Sequence, residues 1–346
     1  MKTRNIILSV IVMCCITMAQ AQKTDVMTAT LQHGDDVTVF TTQTAFANAY
    51  AAAVDGDVIT LSPGTFNATN LTKSVNIYGS GFEENETDGT GISTINGSIT
   101  IGVTNETLSD IHIEGVKING NLTNNASSPL QDIYFKKCYI GNTSINSEIT
   151  NVTFCNCVMG SITGVYNIMA NNLLITNCHF GIITTFQPGS TVLIDHSIVT
   201  GCTSHYEGGN ISPTHALNVS QFTWKNCCFT SQNTDYGYWQ RVGRGSLLYN
   251  CLYYKYIGGT DNANLHDCTL VSDNAMFSDA NNANYSAERT FTLQQPTVWI
   301  GDDDTEIGIR GGLYPWNKVP ATPVVKSLQL DVDGTNLNVT FDAETR

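Results

Sequence analysis

Short phrases in which every second residue is apolar recur along the chain. Ile111-His112-Ile113-Glu114-Gly115-Val116 is followed by Ile133-Tyr134-Phe135-Lys136-Lys137-Cys138, Val152-Thr153-Phe154-Cys155-Asn156-Cys157 and Leu173-Leu174-Ile175-Thr176-Asn177-Cys178. Val192-Leu193-Ile194-Asp195-His196-Ser197, Phe222-Thr223-Trp224-Lys225-Asn226-Cys227, Leu248-Tyr249-Asn250-Cys251 and Leu265-His266-Asp267-Cys268 continue the series. A period of two belongs to a strand, and helical periodicity is absent here. Aligned on their last residues, the phrases are 22, 19, 21, 19, 30, 24 and 17 residues apart. A repeat of that length with short strands predicts a parallel β-solenoid. One coil cannot bury its own inner face, whereas coils stacked at about 4.8 Å share one continuous core.

The alignment also assigns directions. Phe154, Ile175, Ile194 and Trp224 are expected inside. Asn156, Asn177, Asn226 and Asn250 fall at the next corner, where each amide is expected to hydrogen-bond its neighbour one coil up. Cys138, Cys157, Cys178, Cys227, Cys251 and Cys268 then return to the core, in a column with Val116 and Ser197. Thiols stacked on parallel strands fit disulfide geometry poorly, so unpaired apolar fillers are expected. Cys155-x-Cys157 and Cys227-Cys228 lack zinc-site spacing. The outward column reads Glu114, Lys136, Cys155, Thr176, Asp195, Lys225, Tyr249 and His266, with Asp195 expected near Lys225 and Tyr249 above it.

Outside the repeat the pattern changes. Thr41 to Ala53 sets Phe46, Ala49, Tyr50 and Ala53 on one face, which predicts a helix capped by Thr41 or Thr42. Asp55-Gly56-Asp57 turns into the strand Val58-Ile59-Thr60-Leu61, and the whole reads as an N-terminal cap entering the first coil. Before it, Lys2 and Arg4 precede an apolar run from Ile6 to Met18 and Ala19-Gln20-Ala21, the pattern of an export signal cleaved after Ala21. The run is too short for a stable membrane anchor, and no transmembrane segment is expected in the mature chain. In the tail, Val324–Val332 and Leu337–Phe341 are expected to pair around Asp333-Gly334 and to dock on the last coil. The expected organisation is a signal over 1–21, a solenoid with its cap over 22–319 and a short β tail over 320–346.

Two stretches carry a family resemblance. AFANAYAAAVDGDVITLSPGTFNATNLTKSVNIYGSG resembles the opening of pectin-lyase-like right-handed β-helix proteins, with their capping helix, a turn of the form GD-x-I-x-L-x-PG-x-[YF] and a strand ending in G-x-G. MFSDANNANYSAERTFTLQQPTVWIGDDDTEIGIRGGLYPW resembles the last coil of secreted members from Bacteroidetes-type bacteria. The similarity spans about residues 36–316. It implies an all-β, single-stranded right-handed parallel β-helix with an N-terminal capping helix and a short C-terminal β extension. It does not imply one activity. Leu193-Ile194-Asp195-His196-Ser197 is similar to the W-I-D-H segment of pectate lyases but lacks its Trp, and no Arg-x-Pro-x-x-Arg element is present. The signature patterns of polygalacturonases do not appear either.

Composition narrows the partners. With 16 basic and 30 acidic residues the net charge is −14, which argues against a nucleic-acid binder. Charged residues make up 13% while Asn numbers 34, unlike a helical or cytosolic enzyme. The two longest steps must bulge as neighbouring loops. They hold His205, Tyr206 and Glu207, then Asp235, Tyr236, Tyr238 and Trp239, the candidate carbohydrate contacts. Aromatic faces stack on sugar C–H surface, and planar polar side chains take the hydroxyls. For catalysis the candidates are Asp195, Lys225, Arg241 and Arg244, since a lyase needs a basic residue to take a proton. Ca2+ on carboxylates enters only with that lyase reading. Asp302-Asp303-Asp304 is expected as a solvated turn in the terminal coil, and no metal ligands are assigned. The expectation is a monomeric secreted or cell-surface protein that binds polysaccharide or acts as an adhesin, with no catalysis assigned. A lyase acting on an acidic glycan and a structural spacer are the alternatives.

Overall fold

The computed structural model describes residues 27–84, 91–165, 167–184, 186–200, 222–230, 240–241, 246–254, 257–258, 264–271, 276–279, 284–321, 324–333 and 336–344. The eight phrases become consecutive parallel strands of one sheet: Leu108–Glu114, Leu130–Lys136, Ile149–Cys155, Ala170–Thr176, Val192–Asp195, Phe222–Lys225, Leu247–Tyr249 and Asn264–His266. Register puts Phe135, Phe154, Ile175, Ile194, Trp224 and Leu248 in one column, and all six are buried. The Phe135 and Phe154 rings stack at 4.9 Å and 7°. The chain is therefore a parallel β-solenoid, as the 22-residue repeat predicts.

Each coil leaves the first sheet through one left-handed residue and enters a second sheet. Lys137, Asn156, Asn177, His196, Asn226, Asn250 and Asp267 hold this corner with φ between 43° and 54°. Asn and Asp tolerate that conformation because their short side chains bond locally. The expected amide ladder, however, is not at this corner. It lies five residues earlier, at a second left-handed column of Asp132, Asn151 and Asn172. There Asn151 Nδ2 donates to Asp132 Oδ1 at 2.8 Å, and Asn172 Nδ2 to Asn151 Oδ1 at 2.9 Å. The corner amides of Asn156, Asn177 and Asn226 instead reach the C-terminal segment described below.

The cysteine column is present, and its thiols are free. They do more than fill space. Cys138, Cys178 and Cys227 donate to the carbonyls of Lys136, Thr176 and Lys225, two residues back, at 3.2, 3.2 and 3.0 Å. Ser197 Oγ does the same to Asp195 at 2.8 Å. Each of those carbonyls also accepts a backbone N–H from the coil before, from Gly115, Asn156, His196 and Asn177 in turn, so the thiol or hydroxyl takes up the second acceptor site of an oxygen that is already paired.

Thr143 departs from the apolar pattern of the interior. Thr143 stands between Leu122 and Ile162 in the second sheet, and its Oγ1 is buried without a partner beside a cavity of about 30 Å³. Thr143→Val is expected to stabilise the fold by about 1 kcal/mol, because an unmade buried hydrogen bond is removed. Thermal melts check this; a lower Tm for the variant would show that the hydroxyl is satisfied.

At the N-terminal end, β1 (Thr28–His33) pairs antiparallel with β2 (Asp36–Thr41) and with β3 (Val58–Leu61). Helix α1 (Ala45–Ala52) buries Phe46, Ala49 and Tyr50 as expected, but it starts later than predicted. Thr41 is still paired with Thr28, and Thr42 is left-handed at φ 83°, so neither can cap; Thr44 takes the position without a side-chain cap bond. Lys73 Nζ closes the other end on the carbonyls of Tyr50, Ala51 and Ala53 at 3.0, 3.0 and 2.6 Å. Removing that cation from the helix C-terminus by Lys73→Met is expected to cost about 1 kcal/mol, read in urea melts.

Residues 276–279 and 284–321 are not a last coil, contrary to the sequence expectation. They run back along the corner like a strap. Gly308 N–H donates to Asn226 O, Asn177 Nδ2 to Ile309 O and Gly311 O, and Asn156 Nδ2 to Tyr314 O. Lys137 Nζ then donates to Val319 O, and Ala321 N–H to Glu114 Oε1. The reason lies in the second sheet, whose outward column contains Ile198, Cys228 and Leu252. These need cover, and pack with Phe277, Phe291, Leu293, Trp299, Ile307 and Ile309 in a cluster of their own. In the tail, Val324–Asp333 pairs with Asn336–Glu344 as expected. The chain reaches that hairpin from Ala321, beside Glu114 in an early coil, so its root is not at the last coil. Among the described residues no helix is long and apolar enough to cross a membrane.

Candidate functional site

Strand register builds the outward column read from the sequence: Glu114, Lys136, Cys155, Thr176, Asp195, Lys225, Tyr249 and His266 lie on successive coils. Only part of it faces solvent. Glu114, Cys155 and Thr176 are buried, and the strap runs along the corner beside them. Beyond Asp195 the column opens, and Lys225, Tyr249 and His266 are accessible.

The expected Asp195–Lys225 ion pair is not made. Lys225 Nζ goes to Asp302 Oδ2 of the strap at 3.1 Å. Asp195 Oδ1 is taken by His196 Nδ1 at 2.9 Å and Asn226 Nδ2 at 3.4 Å. The left-handed corner turns the His196 and Asn226 side chains outward beside Asp195, while the strap carries Asp302 over the lysine. Asn226 also clasps Asp302 twice: Nδ2 donates to Oδ1 at 2.8 Å, and Oδ1 accepts the Asp302 N–H at 3.1 Å. These bonds and the Lys225 ammonium outweigh burial and hold the Asp302 carboxyl below the usual carboxylate range. His196 is buried, with Nε2 3.1 Å from Thr305 Oγ1 and 3.5 Å from Asp303 Oδ2.

Aromatic rings complete the strip. Tyr249 and His266 stack at 4.7 Å and 10°, and Lys225 Nζ sits 5.9 Å from the centre of the Tyr249 ring. Two carboxylates, one ammonium and a flat ring pair thus share one solvent-facing stretch. Such a surface suits a neutral or charged polyhydroxyl ligand.

Of the other candidates, Arg241 lies on the short strand Gln240–Arg241, which pairs with Ile257–Gly258 outside the two main sheets. His205, Tyr206, Glu207, Asp235, Tyr236, Tyr238, Trp239 and Arg244 lie outside the described residues. The segments that hold them leave from Thr200 and Thr230 and return at Phe222 and Ser246, on the coils of Asp195, Lys225 and Tyr249. Asp302–Asp304 sits on the strap and not in a terminal coil. Among the described residues, no three His, Cys, Asp or Glu side chains converge as a metal site would require.

Sequence reasoning missed two features. Asp302 reaches Lys225 across 77 residues, a separation no repeat alignment signals. The second is a cluster around Glu114, whose carboxylate lies 3.2 Å from His112 Nε2, 3.6 Å from Lys136 Nζ and 3.9 Å from Lys137 Nζ. The His112 ring stands between Tyr78 and Tyr134 at 5.2 and 4.9 Å. The signal was available in part, since Glu114 and Lys136 are neighbours in the outward column. Compared with known proteins, the chain matches no family model, no curated protein and no solved structure.

Proposed function

We propose that the chain is an exported glycan-binding or adhesive protein of the right-handed, pectin-lyase-like kind, with no catalytic step assigned to it. It engages polysaccharide along the open strip of Asp195, Lys225, Tyr249, His266 and Asp302. The observation that carries this reading is the strip itself: a stacked Tyr249–His266 pair beside a Lys225–Asp302 pair. Lys225 and the Asp302 carboxylate beside it offer a polar ligand a hydrogen-bond donor and acceptors side by side. Export follows the reading of residues 1–21 as a signal.

Glycan arrays followed by calorimetry test the proposal. Tyr249→Ala is expected to weaken binding about tenfold, the loss of one aromatic contact and its burial. Unchanged affinity in that variant, or no glycan bound by the intact protein, would sink the reading. The same preparations, incubated with uronate polymers with and without Ca2+, distinguish the alternative. A rise in ultraviolet absorbance from an unsaturated product, lost in Lys225→Ala, would make the protein a lyase.

A further inference from the structure

The described chain contains two separate apolar clusters. One is the solenoid interior, continuous from Ala29 to Cys251. The other lies outside the wall, between Ile198, Cys228, Leu252 and Val271 and the strap side chains Phe277, Phe291, Leu293, Trp299, Ile307 and Ile309. The second sheet runs between them. The strap is also bonded within itself: Asp279 accepts from Arg289 and from the N–H groups of Thr290 and Phe291, and Phe277 pairs with Leu293. Its attachment along the corner is a row of contacts made by corner side chains, about one coil at a time, from Asn226 through His196, Asn177, Asn156 and Lys137 to Glu114, with one backbone bond from Gly308 N–H to Asn226 O. None of these contacts belongs to the ladders that hold coil to coil. Stacked coils are stabilised by their neighbours, whatever covers the wall, and regions with separate cores open with separate free energies.

We propose that residues 276–279 and 284–321 form a detachable strap, which leaves the solenoid as a unit while the coils beneath stay folded. Opening uncovers the outward wall at Ile198, Cys228 and Leu252 and withdraws Asp302 from Lys225. The inference rests on the two clusters and the row of corner contacts, and stands whether or not the strip binds a glycan.

The molecule carries its own reporters. Cys227 and Cys228 are adjacent, yet Cys227 belongs to the interior cluster and Cys228 to the cluster under the strap. Likewise Cys157 is interior, while Cys155 stands in the outward column beside the strap. All four are buried, and burial pushes the Cys155, Cys157 and Cys228 thiols up, so they are unreactive while covered. The intact protein is incubated with iodoacetamide under native conditions, and each thiol is followed by fragmentation mass spectrometry. Added glutathione serves as the control for reagent activity. Cys228 and Cys155 are expected to react at least about tenfold faster than Cys227 and Cys157, a gap set by the difference between local and global opening. Ile309→Ala, a change on the strap alone, is expected to speed the outward pair about tenfold or more and leave the inward pair unchanged. If all four thiols react at one rate, or Ile309→Ala accelerates all four equally, strap and solenoid open together and the proposal is overturned.

Discussion

Gly160→Val is expected to cost the chain its native fold. Gly120, Gly141, Gly160 and Gly181 stack at one corner of the second sheet, so closely that backbone meets backbone. A Cβ at Gly160 would lie 2.3 Å from Gly141 O and 2.6 Å from Asn142 Oδ1. At Gly120, Gly141 and Gly181 it would meet the carbonyl of the coil before at 2.4, 2.7 and 2.7 Å. The obstacle at each is main chain, which cannot rotate aside as a side chain would. Relieving it requires spreading coils whose spacing the strand hydrogen bonds set on both sides. That combines overpacking with broken ladder bonds, and the loss exceeds about 4 kcal/mol. Soluble yield and circular-dichroism melts read the outcome, with Ser161→Ala, one residue along, as the control. A Gly160→Val protein that melts within a few degrees of the parent would show that the corner has slack.

Replacing Glu114 is expected to have the second-largest effect. Its side chain is 2% exposed, and it accepts the Ala321 N–H at 3.0 Å among His112, Lys136 and Lys137. Burial by itself would raise its carboxyl. The imidazole, the two ammonium groups and the backbone donor overcome that and hold it below the usual range. Glu114→Ala leaves the largely buried Lys137 and the partly exposed Lys136 without their carboxylate and frees the far end of the strap, for a loss of about 3 kcal/mol. The pH dependence follows in sign. A carboxyl depressed in the folded state contributes stability that is complete above its unfolded value and is lost as pH falls through the lower folded value. Urea melts on a descending pH series are therefore expected to show the parent weakening below the ordinary carboxylate range. Glu114→Gln should start lower at neutral pH and lose less. Parallel curves for the two proteins would remove Glu114 from the account.

What the residue pattern determined alone is the part governed by near neighbours. The alternation in Val152 to Cys157 and its counterparts sets which side chains enter the core, and the roughly 22-residue repeat sets which residues stack. Each coil touches only the coils beside it, so an alignment of phrases is already a map of contacts. The inward Phe154, Ile175 and Trp224, the outward Asp195, Lys225 and Tyr249, and the thiol column all follow from that locality. The tertiary structure decided whatever depends on distant segments. No repeat announces that Asp302 lands on Lys225, that Asn177 holds Ile309, or that Glu114 ends beneath Ala321. Those contacts arise because the second sheet has an outward apolar wall at Ile198, Cys228 and Leu252. The chain covers that wall with its own later residues, which converts an expected last coil into a strap and closes half of a face that alternation alone left open.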